Sequence, residues 1–108
     1  MNILYSIDDT KEWIKINQKY KNILLFIWSK DIDSSINNFI QQINDNLKNN
    51  IKLLKLEIAD NSDLIDYLDI TSYPCIRFYQ KSILINEFFF LDKYNKNIDL
   101  FLKNIECI

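Results

Sequence analysis

Sulfur, carboxylate and lysine are the reactive side chains this sequence offers, because it contains no histidine at all. The imidazole general base, the Cys/His and Ser/His catalytic pairs and the commonest metal ligand are therefore absent together. Two cysteines remain, Cys75 and Cys107. They lie too far apart for a zinc-ligand pair and are too few for a disulfide framework, while a single bridge between them is left open by sequence. Glycine is also missing, which removes the phosphate-cradling P-loop and the dinucleotide-binding fingerprint. Among the acids, Asp31 and Asp33 form a close pair, and Asp60, Asp63, Asp66 and Asp69 recur every third residue. With no pocket-forming partner, the first pair reads as charge favoured at a helix N-terminus. The second set turns progressively around a helix and has no oxygen-rich loop to complete a coordination shell, so it reads as a solvated acidic face. No metal and no cofactor is expected.

Length and charge narrow the class further. A chain of 108 residues, 48% hydrophobic and 14% aromatic, has the size of one domain with one core, here 1–108, and lies outside the disordered regime. Thirteen basic and fifteen acidic residues give a net charge of −2, and the lysines are scattered among acids and asparagines, so no nucleic-acid partner is expected. The longest apolar run, Ile23 to Trp28, is far short of the roughly 20 residues of a membrane-spanning helix. The opening MNILYSIDDT reaches two acids before any long apolar stretch and shows no secretory pattern. The expectation is a cytoplasmic protein without a membrane partner, as a monomer or weak dimer.

The elements that must position these residues follow from periodicity. Ile3 to Ile7 is a short strand candidate. Asp9 with Glu12 makes a capping-box-like start to a helix from about Thr10 to Gln18, with Trp13, Ile14, Ile16 and Tyr20 on its apolar side. Ile23 to Trp28 has the unbroken apolar character of a strand buried on both faces. From Asp33 or Ser34, Ile36, Phe39, Ile40, Ile43 and Leu47 recur at helical spacing. A strand over Ile51 to Ile58 and a short helix from Asn61 to Leu68 come next, the latter with Leu64, Ile65 and Leu68 inward. Asp69 to Pro74 is loop, because the residue before proline is pushed to extended conformation. Cys75 to Tyr79 and Ile83 to Phe89 or Phe90 then form an antiparallel hairpin candidate, and Asp92 caps a last helix through Ile105.

The resulting order, βαβαβαββα, predicts an α/β fold with a mixed central sheet flanked by helices on both faces. With its apolar strand ending in Phe26 and Trp28, its long second helix, the strand Lys55-Leu56-Glu57-Ile58, and Ile70-Thr71-Ser72-Tyr73-Pro74-Cys75 before the hairpin, the chain resembles the thioredoxin family. That resemblance implies the thioredoxin fold over nearly the whole chain and a cis peptide bond at Pro74. It also locates what is missing. Thiol–disulfide exchange in the family uses a Cys-x-x-Cys pair at the N-terminus of the second helix; the matching stretch here runs Trp28, Ser29, Lys30, Asp31, Ile32, Asp33, Ser34, Ser35. No cysteine occurs in it, and Ile23 to Trp28 lacks the buried acid that many thioredoxins carry there.

Three functional readings remain. The leading one is a redox-inactive binding or scaffolding module for a protein or peptide. In the family the backbone before the proline pairs with an extended substrate strand, a form of strand addition needing no catalysis. The resemblance gives that position to Tyr73 and suggests a recognition rim of Trp28, Ile32, Tyr73, Pro74 and Phe90, where Phe90 stands near the family's glycine. The second reading makes Cys75 a lone reactive thiol; the competing view is a buried, inert thiol at the start of a central strand. The third is a spliceosome-type thioredoxin-like subunit, which also lacks the dithiol and shows Pro-Cys at this loop, although this chain is short for it.

Overall fold

In the computed structural model, the structure describes residues 5–7, 9–29, 41, 51–58 and 62–89. Chain order is β1 (Tyr5–Ser6), α1 (Thr10–Lys19), β2 (Asn22–Trp28), β3 (Ile51–Glu57), α2 (Ser62–Tyr67), β4 (Cys75–Gln80) and β5 (Ile83–Phe89). Two expected helices, from Asp33 or Ser34 to Leu47 and from Asp92 onward, lie outside the described residues except for Gln41, which is helical.

Local chemistry sets the ends of these elements. Asp9 caps α1 in extended conformation, its carboxylate accepting from the Glu12 backbone N–H at 2.8 Å, which satisfies one of the orphan donors of the first turn. The helix buries Trp13 and half-buries Ile16 and Tyr20. Ile14 was expected on that face and is exposed instead. At about 100° per residue it falls roughly a third of a turn away from the centre of the Trp13–Ile16–Tyr20 seam. At the end of α2 the Asp69 N–H bonds the Asp66 carbonyl and the Ile70 N–H reaches back to Ile65. With Asp69 at φ 53°, this is a Schellman termination in which aspartate occupies the left-handed position that glycine usually fills.

The strands form one five-stranded sheet in the order β1-β3-β2-β4-β5. β1, β3 and β2 are mutually parallel, and β4 and β5 run antiparallel to their neighbours. β2 sits in the middle, and every residue from Asn22 to Ile27 is buried, as its unbroken apolar run requires. Ile23, Leu25 and Ile27 join Leu54, Leu56, Cys75 and Tyr79 on one face, where Trp13 of α1 and Leu64 of α2 pack against them. Trp13 meets the Tyr79 ring edge-on with centroids 4.9 Å apart, a favourable quadrupole arrangement. Leu24, Phe26, Leu53, Ile76 and Phe78, which alternate to the other face, are equally buried.

The β4–β5 connection is a two-residue turn, Lys81-Ser82, with φ of 52° and 69°. Positive φ at both central positions is what a hairpin's right-handed twist demands. Further along, Phe78 opposes Asn86 while Tyr79 opposes Leu84, leaving Ile85 as an extra residue in a bulge of β5.

Candidate functional site

One end of the sheet gathers the C-terminal end of β2, the start of β4 and the loop leading into it. Ile27 faces Cys75 in the β2–β4 ladder, so Trp28 and Pro74 lie one step further out. The Tyr73–Pro74 peptide bond is cis. Tyr73 is 50% exposed, whereas Trp28 and Pro74 are half-buried. The Lys55 ammonium lies 3.9 Å above the Trp28 ring, a cation–π contact, and Glu57 sits beside Trp28 in the parallel ladder. The Trp28 indole Nε1–H is shielded from solvent and has no hydrogen-bond partner among the described residues, an uncommon state for a buried donor. Of the expected rim, the structure therefore brings Trp28, Tyr73 and Pro74 to one end. Ile32 and Phe90 lie outside the described residues, as do Lys30, Asp31, Asp33, Ser34 and Ser35.

Cys75 follows immediately, but its side chain turns into the core. It is free and completely buried. Burial pushes its thiol from an ordinary 9.0 up to about 12, with the Glu87 carboxylate adding to the rise and the Arg77 guanidinium opposing it. The thiolate that a reactive cysteine needs is thus disfavoured here, against the lone-thiol reading.

Behind the loop stands a group that sequence reasoning passed over. Arg77, in the middle of β4, is 5% exposed. Its Nε donates to Glu87 Oε2 at 2.6 Å; Nη1 donates to the Leu68 carbonyl at 2.5 Å and to Tyr79 Oη at 3.1 Å; Nη2 donates to the Asp69 carbonyl at 3.1 Å. Burial works against the guanidinium charge, but the Tyr79 and Glu87 contacts outweigh it and hold Arg77 above its ordinary pKa. One charged residue inside Cys-Ile-Arg-Phe-Tyr, with Glu87 on the next strand, was the available signal.

The acidic helix face behaves as expected, with Asp63, Asp66 and Asp69 exposed; Asp60 lies outside the described residues. Among the described residues no group of three or more metal-ligating side chains could hold an ion, and no helix is long and apolar enough to cross a membrane.

Sequence comparison finds no matching family model and no matching curated protein. Comparison of structures is informative. The thioredoxin of Malassezia sympodialis superposes with a TM-score of 0.82 at 12% identity, covering 96% of this chain and 91% of that one. Oxidised thioredoxin from Plasmodium falciparum gives 0.80 at 10% identity, covering 95% and 98%. The Trypanosoma brucei brucei thioredoxin gives 0.81 at 9%, covering 98% and 93%. Backbone likeness over almost the full length of each chain, at identities this low, speaks for architecture: what this protein shares with them is the thioredoxin fold.

Proposed function

We propose that this protein is a redox-inactive thioredoxin-fold module that binds an extended protein or peptide segment along the rim of Trp28, Tyr73 and Pro74. The reading rests on one contrast at that rim. Tyr73 stands half exposed while the neighbouring Cys75 is sealed in the core with its thiol raised to about 12, so the surface offers an aromatic ring and backbone polar groups but no nucleophilic sulfur. The sequence supplies no Cys-x-x-Cys pair elsewhere, and a serine hydroxyl cannot form the mixed disulfide on which exchange depends. Recognition by strand addition needs only an accessible backbone and side-chain pockets. The Trp28 Nε1–H, unmet among the described residues, supports the reading, since an incoming carbonyl would satisfy it after a small movement of the ring.

Two measurements test this. Insulin reduction with dithiothreitol should stay at the uncatalysed rate for the intact protein and for Cys75→Ser alike. Peptides selected by panning on the intact protein should shift the backbone amide resonances of Thr71, Ser72, Tyr73 and Cys75, and should bind at least tenfold more weakly to Tyr73→Ala. Insulin reduction above background, or selected peptides whose shifts map away from residues 71–75, would overturn the proposal.

A further inference from the structure

Resting on the rim reading, we propose that Arg77 is its positioning residue: by binding the two carbonyls at the root of the Ile70–Pro74 loop, it fixes the loop that displays Tyr73 without touching a ligand itself.

Burial alone gives no reason for an arginine here. β4 is otherwise apolar through Tyr79, and an aliphatic residue facing Leu25 would avoid the desolvation penalty of a guanidinium. What an aliphatic residue lacks is donors. The chain leaving α2 exposes carbonyls that have no partner within the helix, and Leu68 and Asp69 present two of them in succession. The guanidinium fork meets both, through Nη1 at 2.5 Å and Nη2 at 3.1 Å. A planar fork suits this task, because a lysine ammonium carries its three donors on one atom and cannot span two separated acceptors in the same way. Glu87 neutralises the charge through Nε at 2.6 Å, and Tyr79 Oη takes the remaining approach to Nη1.

The mechanical consequence is a loop tied at both ends. Its far end enters the sheet at Cys75, which pairs with Ile27 on one side and Phe89 on the other. Its near end leaves a left-handed Asp69, and only Arg77 links that turn to β4 by side-chain bonds among the described residues. A loop ordered before binding loses less entropy when a ligand lands on it, so its order enters directly into affinity.

The test is amide 15N relaxation on the intact protein with no ligand. Arg77→Lys retains the charge and loses the fork; Arg77→Gln buries no charge and reaches one carbonyl only; Glu87→Gln leaves both carbonyl bonds in place. In either Arg77 variant the order parameters at Thr71, Ser72 and Tyr73 should fall from the rigid range, about 0.85, toward 0.6. Those at Leu24 to Phe26 should stay, and Glu87→Gln should keep the loop rigid. A loss of global stability does not by itself move these picosecond–nanosecond values in the native state. Should Arg77→Lys fail to fold, Arg77→Gln carries the same readout. A peptide selected on the intact protein should then bind the loosened variants about tenfold more weakly. Unchanged loop order in a folded Arg77 variant overturns the inference while leaving rim binding intact. A loosened loop with no selected peptide mapping to it upholds the tether and overturns the rim reading instead.

Discussion

An ionised Cys75 would put a negative charge between Ile27 and Phe89, with the Glu87 carboxylate on the same face of the sheet. The folded protein therefore holds the proton to about pH 12, whereas an unfolded chain releases it near 9. Between those values the unfolded state binds fewer protons, so stability falls as pH rises. Guanidinium unfolding midpoints taken from pH 8 to 10.5 should decline more steeply for the intact protein than for Cys75→Ala. A parallel decline would show that the thiol ionises as readily inside as outside. In native buffer at pH 8, Cys75 should resist alkylation and react once the chain is denatured. The sequence indicated this outcome, because the first residue of a strand beside an apolar β2 has little access to water. It did not indicate Arg77, and the reason is physical. Two of that residue's acceptors are the main-chain carbonyls of Leu68 and Asp69, which carry no side-chain signature and are set only by how α2 ends.

Elements were legible where periodicity and punctuation agreed. The residues of β2, β3, β4 and β5 fall within a residue or two of their expected bounds, since each is an apolar or alternating run closed by asparagine, proline or a polar turn. The turn itself was not legible in its type. Lys81-Ser82 carries none of the asparagine or glycine preference of a turn with two positive φ values, yet both residues adopt them. With no glycine in the chain, the left-handed positions at Asp69, Lys81 and Ser82 all fall to residues with a Cβ, at roughly 1–2 kcal/mol each. Replacing Lys81-Ser82 by Asn-Gly should raise stability by about 1 kcal/mol, the conformational relief being partly offset by loss of the exposed Ser82 hydroxyl bond to the Asn17 carbonyl. A urea midpoint that drops in this variant would mean that the hydroxyl's bond outweighs the relief of the backbone.

At the scale of the molecule, β2 is the keystone, flanked by β3 and β4 and buried over six consecutive residues. Leu25 lies opposite Leu54 on one side and Arg77 on the other, so Leu25→Ala would open a cavity next to the guanidinium that holds the rim loop. The loss should be about 2–5 kcal/mol in denaturant unfolding, a large share of the roughly 5–15 kcal/mol typical of a whole domain. The same arrangement explains how the fold forms in a chain that has no Cys-x-x-Cys pair. Sheet order depends on β2 being apolar and central, and neither property requires a dithiol or a buried acid at its end. At the outer limit of the sheet, β5 carries Ile83, Leu84 and Ile85 in succession, all three exposed. A straight strand of that composition would be a template on which further chains could stack into a fibril, each adding its hydrogen bonds to the last. The additional residue at Ile85 breaks the regular spacing of donors and acceptors along that border and increases its twist. A bulge at this position works against the regular pairing that stacking of further chains along the margin would need.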